Sequence, residues 1–196
     1  MKNFLKQRKR TEKLLARLIK NDSVKETTQK DLQFLFNNDP SVKDISHIDC
    51  YTSAFAVAAY RIAHIQKDPK IARQITEYAK SLTGIDIHPR ATIGVPFALD
   101  HGVGTVIGET AVIGRNCLLY HGVTLGARHL KERDQVGEIR HPQLGDNVII
   151  YSNTTILGNI HVPDGMIIGA NRFLKKQSEI DEIKHPQNTE ATLKGS

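Results

Sequence analysis

The sequence predicts a cap of α-helices followed by a parallel β-helix of six-residue repeats, an α+β architecture. Two observations carry this. Thirteen of the fourteen glycines lie at or beyond Gly94, so a glycine-poor first part gives way to a glycine-rich second part. In the second part, branched aliphatic residues recur every six positions. They are Ile87, Ile93 and Leu99; after an offset of two, Ile107, Ile113, Leu119 and Leu125; and after an excursion, Leu144, Ile150, Ile156, Val162 and Ile168. That period fits neither a 3.6-residue helix nor an alternating strand. It fits a coil in which each hexapeptide forms one short face, three faces close a turn, and the aliphatic side chain points inward.

Residues 1–84 read as the helical domain. Leu14, Leu15, Leu18 and Ile19 give one apolar face, and Leu32, Leu35 and Phe36 begin another. Asp39-Pro40-Ser41 breaks the chain, because proline disfavours helix for the residue before it. Ala54, Phe55, Ala58, Ile62 and Ile65 mark a longer helix. Pro69 suits the first turn of a last helix running to about Leu82, and Thr83-Gly84 ends the regime. Residues 85–174 read as the β-helix, about four coils with an excursion loop over 126–143, and residues 175–196 as a C-terminal tail. A second inward position is small or apolar at Ala91, Val103, Ala111, Cys117, Val123, Val148 and Thr154. Glycine beside the repeat aliphatic serves the corners, where the backbone needs conformations costly to other residues.

Composition narrows the function. Hydrophobic content of 39% and charged content of 24% describe a globular chain. No apolar run approaches the roughly 18 residues that span a bilayer, and the basic N-terminus leads into no apolar core of a secretory signal. Cys50 and Cys117 form no CxxC pair and read as reduced, packed thiols, which points to the cytoplasm. The net charge of +6 gathers at Lys2 to Lys20 and at Lys175-Lys176, with no base-reading motif. A solvated basic helix, or a patch attracting an anionic cofactor, accounts for it better than nucleic acid does.

Asp86-Ile87-His88-Pro89, Leu99-Asp100-His101-Gly102 and the run from Ile107 to Gly114 resemble the serine acetyltransferases. Gly122-Val123-Thr124-Leu125-Gly126 and Arg140-His141-Pro142 continue the resemblance in order, and Asn38-Asp39-Pro40 and the segment from Ala59 to His64 extend it upstream. It covers roughly residues 35 to 170. It implies a left-handed β-helix, a homotrimer or dimer of trimers with sites between subunits, and acetyl transfer from acetyl-CoA to L-serine, the first step of cysteine biosynthesis.

Acetyl transfer from a thioester to an alcohol needs a base for the hydroxyl proton and stabilisation of the tetrahedral oxyanion. His101 is the candidate base. It follows an acidic residue, sits among glycines, and falls where the repeat breaks. The resemblance assigns Asp86 to orient it, places Asp39 and Asp100 at the amino and hydroxyl end of serine, and pairs Arg140 with its carboxylate, His141 beside it. Guanidinium suits that task because it binds carboxylate through two parallel hydrogen bonds. Coenzyme A, by the same resemblance, runs along the β-helix past Gly126, Tyr151 and Ala170, with Lys175 or Lys176 meeting a phosphate. No serine or cysteine sits beside a base, so attack is direct, within a ternary complex and without an acetyl-enzyme. No metal is required.

Three departures mark this chain. Ala127-Arg128-His129-Leu130 and a charged excursion replace the family's glycine-rich loop, which opens the choice of acceptor to another amino acid, a sugar or another small hydroxyl compound. Gly169-Ala170-Asn171-Arg172-Phe173-Leu174 replaces Gly-Ala-Gly-Ser-Val-Val near the distal end of the cofactor. The terminal isoleucine through which some members dock onto cysteine synthase is absent, so that partnership is not predicted. Two rival readings remain: a zinc enzyme using His101, His121 and His141, which would need to converge, and a silent scaffold.

Overall fold

The computed structural model describes residues 2–128 and 139–183. The helical part comprises α1 (Lys2–Leu18), α2 (Asp22–Asn38), a 3-10 turn (Ile45–Cys50), α3 (Thr52–His64) and α4 (Pro69–Thr83). Local sequence fixes the ends. Asn21 caps α2 by accepting from the Val24 N–H, and Asp68 caps α4 by accepting from Lys70 and Ile71 ahead of Pro69. Gly84, at φ 68°, ends α4 in the left-handed conformation. Two expected helical faces differ. Ile19, Phe55 and Ile65 are exposed, whereas Ala54 and Ile62 are buried as expected and α3 also buries Ala56, Val57, Ala59 and Tyr60. That helix lies between its neighbours and the β-helix, so packing on several sides overrides a single stripe.

Among the described residues thirteen short strands follow: β1 (Asp86–Ile87), β2 (Thr92–Ile93), β3 (Phe97–Asp100), β4 (Val106–Ile107), β5 (Val112–Ile113), β6 (Cys117–Tyr120), β7 (Thr124–Gly126), β8 (Gln143–Leu144), β9 (Ile149–Ile150), β10 (Thr155–Leu157), β11 (His161–Val162), β12 (Ile167–Ile168) and β13 (Phe173–Leu174). They form three parallel sheets: sheet I, ordered β1-β4-β7-β10-β13; sheet II, containing β2, β5, β8 and β11; and sheet III, containing β3, β6, β9 and β12. Successive strands visit I, II and III in turn, which is the left-handed parallel β-helix expected. Every repeat aliphatic from Ile87 to Ile168 is buried in its core.

Register locates the irregularities. Val106 pairs with Thr124, and Thr155 with Phe173, so the regular coil is eighteen residues. Asp86 pairs with Val106, a coil of twenty. The two extra residues are His101 and Gly102, at φ 57° and 76°. Among the described residues asparagine occupies every other non-glycine position of positive φ, namely Asn116, Asn147, Asn153 and Asn171. A histidine held there is unusual. The insertion also corrects the inward pattern: Val103 is 59% exposed, and Thr105 is the buried residue at that level. Thr124 pairs with Thr155, thirteen residues beyond the regular coil. Residues 129–138 of that excursion lie outside the described residues.

The cap is bound to the β-helix by a buried ion pair. Arg61 on α3 donates to both carboxylate oxygens of Asp31 on α2, at 2.8 and 3.1 Å, and to the carbonyls of Ile93 and Gly94 at 2.6 and 2.7 Å. Asp31 also accepts from the Phe97 N–H at the start of β3, at 2.8 Å. The Tyr60 hydroxyl adds a bond to the Ala91 carbonyl at 2.6 Å. At the other end, the segment expected as a tail begins with α5 (Gln177–Asp181), whose Ile180 closes the open end of the core. Residues 184–196 of that tail lie outside the described residues.

The two thiols differ. Cys117 is buried, which pushes its thiol up to about 11, whereas Cys50 is exposed rather than packed as expected. Maleimide should therefore label one thiol per native chain, at Cys50. Equal labelling of both, read by mass spectrometry of peptides, would contradict the burial of Cys117. No helix among the described residues is long and apolar enough to cross a membrane.

Candidate active site

The turn from sheet III to sheet I stacks four corners along one edge: Asp100-His101, Tyr120-His121, Tyr151-Ser152 and Gly169-Ala170. The pairing of Asp100 with Tyr120 fixes the first step of this register. The two-residue insertion pushes His101 outward, where its side chain is 75% exposed. Its Nε2 lies 3.8 Å from Oδ1 of Asp100, and its ring meets that of His121 edge-on at 5.8 Å. His121 buries an Nδ1 without a hydrogen-bond partner among the described residues.

Asp39 approaches the same corner from the helical cap, at the C-terminal end of α2. Its Oδ1 accepts from the N–H and hydroxyl of Ser41 at 2.9 and 2.6 Å. Tyr120 reports the convergence. Its phenol is pushed up first by burial, then by the negative charges of Asp100 and Asp39. Tyr151 stacks on Tyr120 at 4.9 Å. One carboxylate, Asp100, thus stands beside an exposed imidazole, and the charge of Asp39 is felt at the neighbouring Tyr120. Tyr120 was not anticipated; it lies one twenty-residue coil beyond Asp100, a spacing that would have marked it.

The remaining candidates occupy the next edge, where sheet I turns to sheet II. Arg140 donates a short hydrogen bond to Glu109, which is the main reason the Glu109 carboxyl lies below its ordinary range. His141 is buried against Gly108, where an added Cβ would lie 2.0 Å from the ring. Its Nδ1 meets the Thr110 hydroxyl at 2.8 Å, and that hydroxyl also accepts from the Arg140 N–H at 2.9 Å. Thr110 therefore positions both residues. Gly126 ends β7 and Lys175 follows β13, both in sheet I, so they share this edge, whereas Tyr151 and Ala170 share the edge of His101.

Asp86 points away from the core on β1 and is held by α4. Lys80 donates to its Oδ2 at 2.5 Å, and Arg73 stands 3.9 Å from Oδ1. Among the described residues it makes no hydrogen bond to His101; the carboxylate beside that imidazole is Asp100. His101 and His121 share one edge and His141 the other, so within one copy the three imidazoles do not converge as zinc would need.

An exposed imidazole beside a carboxylate can take a proton from a bound ammonium alcohol, and a guanidinium suits a carboxylate. The chain is similar to a serine acetyltransferase of Synechococcus elongatus, 42% identical over 157 residues, covering 76% of this chain and 49% of the relative. It is similar in structure to serine acetyltransferase 1 of Entamoeba histolytica in complex with L-cysteine, with TM-score 0.73 and 40% identity over 84% of this chain and 64% of that one. Serine acetyltransferase of Neisseria gonorrhoeae in complex with serine gives TM-score 0.66 and 31% identity, over 80% of this chain and 67% of that one. No family model matches the chain. The chain spans about half the length of the Synechococcus relative.

Proposed function

The chain belongs to the serine acetyltransferase family, and from that premise we propose that it transfers the acetyl group of acetyl-CoA to the hydroxyl of L-serine, giving O-acetylserine and CoA. The observation that carries the reading is the exposed imidazole of His101 beside Asp100 at the break in the repeat, with Asp100 in register with Tyr120. Asp39 and Asp100 pair with the serine ammonium and orient its hydroxyl toward the imidazole. His101 removes the hydroxyl proton as the serine oxygen attacks the thioester carbonyl. The tetrahedral intermediate then collapses, the carbon–sulfur bond breaks, and the imidazolium returns the proton to the CoA thiolate.

Arg140 supplies the cation for the serine carboxylate, with His141 beside it. These residues lie on a different edge from His101, so we assign the complete site to a seam between two copies, in a homotrimer. Asp86 orients His101 only if it leaves Lys80 or meets the imidazole of another copy. Tyr151 and Ala170 line the cofactor groove on the His101 edge, and Gly126 and Lys175 face it from the neighbour. The setting is cytoplasmic.

Thiol release from acetyl-CoA, followed with serine, homoserine, threonine and a galactoside as acceptors, tests this reading. Serine should give the highest kcat/KM by at least about tenfold, the scale set by one methylene in a fitted pocket. A faster reaction with any other acceptor would overturn the substrate assignment.

A further inference from the structure

The two histidines of the proposed site stand in opposite surroundings. The His101 side chain is 75% exposed, whereas His141 is 7% exposed and is held by Thr110. Glu109-Thr110 follows β4 and Arg140-His141 precedes β8, so two contacts run in parallel between coils, each joining residues thirty-one apart. The Thr110 N–H donates to Nδ1 of His141 at 3.2 Å. A backbone N–H can only donate, so Nδ1 offers it a lone pair. The Thr110 hydroxyl lies 2.8 Å from the same nitrogen. Its oxygen accepts from the Arg140 and His141 N–H groups at 2.9 and 3.2 Å, which uses both lone pairs and leaves its hydrogen for Nδ1. A ring with two donors on Nδ1 carries its one hydrogen on Nε2. Gly108 makes room for that edge, since a Cβ there would lie 2.1 Å from Nε2.

We infer that Thr110 is a positioning residue for the acceptor. It locks His141 as the neutral tautomer with its hydrogen on Nε2, so this imidazole meets the acceptor carboxylate as a hydrogen-bond donor and not as a second base. The inference rests on the serine reading above and deepens it at the carboxylate end. The hydrogen bond made at one imidazole nitrogen decides which nitrogen keeps the hydrogen. A carboxylate only accepts, so a ring with its hydrogen on Nδ1 would present a bare lone pair at Nε2 and repel that charge. The same hydroxyl holds the backbone of Arg140, so one side chain sets guanidinium and imidazole together. Two imidazoles thereby take two roles. His101, exposed on the other edge, is left as the base.

Solid-state ¹⁵N NMR of the full chain labelled at its histidines tests it, with His141 assigned by its loss in His141→Gln. Without any ligand, His141 should show a bare Nδ1 and a protonated Nε2. Thr110→Val keeps the shape but removes the hydroxyl, and its ring signals should move toward the tautomer mixture of a free imidazole. The same variant should raise KM for serine about tenfold with kcat within about twofold, as expected for lost binding rather than lost chemistry. Thr110→Ser restores the hydroxyl and should recover both the signals and KM. A hydrogen on Nδ1 in the wild type would overturn the proposal, and that spectrum decides alone if Thr110→Val does not fold. Unchanged ring signals in Thr110→Val would overturn the lock, and a loosened ring with unchanged KM would overturn its link to the acceptor. The two readings fail separately, because the ring signals need no substrate. A protein with the lock that does not acetylate serine retains the tautomer and loses the acceptor. One that acetylates serine with a hydrogen on Nδ1 retains the acceptor and loses the lock.

Discussion

Replacing His101 with alanine should lower kcat for serine acetylation by about 10²–10⁴-fold, the usual contribution of a positioned general base. The backbone complicates that variant, because residue 101 sits at φ 57°. Alanine in this left-handed region costs about 1–2 kcal/mol, so loss of activity through local distortion must be separated from loss of the base. His101→Asn makes the separation. Asparagine already holds the positive-φ positions Asn116, Asn147, Asn153 and Asn171, so it fits the turn, yet it has no nitrogen that accepts a proton at neutral pH. Both variants should lose kcat alike. Only the alanine protein should also melt earlier, and CoA affinity should change less than about twofold in either, since the ring lies at the reacting end. An asparagine variant with more than about a tenth of wild-type kcat would remove His101 from the role of base.

The core was readable from the chain because each inward side chain is dictated by a local period. Ile87 through Ile168 face the interior whatever the cap does, and the two-residue offset before Ile107 announced the bulge that carries His101. The same offset misled the reading of Val103. The extra residues are absorbed at 101 and 102, which moves the inward position to Thr105 and leaves Val103 in solvent. Contacts set by tertiary approach had no such signal. That Lys80 on α4 reaches Asp86 depends on how the cap docks, and so does the influence of Asp39 on Tyr120 across fold elements distant in sequence. Arg140 and His141 were found as a motif, but their separation from His101 by one edge of the prism follows only from counting strands through the three sheets.

Arg61→Ala should be the most destabilising single change considered for the cap, at about 3–5 kcal/mol, because it strips the partner from a buried charge. The Arg61 and Asp31 side chains are 7% and 3% exposed. Removing the guanidinium leaves the Asp31 carboxylate in the interior with only the Phe97 N–H, and it deprives the Ile93 and Gly94 carbonyls of their donor. At about 2–4 °C per kcal/mol for a chain of this size, Tm should fall by about 6–20 °C. Replacing both partners with apolar residues of similar volume, Asp31→Leu with Arg61→Met, should recover much of the loss, since neither desolvated charge remains. The site should register the change as well. Asp31 belongs to α2, which ends at Asp39, and it holds the first residue of β3, which ends at Asp100. The ion pair therefore sets the spacing of the two carboxylates proposed for the serine ammonium, and the double variant should show a raised KM for serine even where its stability returns. A single Arg61→Ala protein that melts within about 2 °C of wild type would mean that the cap docks without this pair.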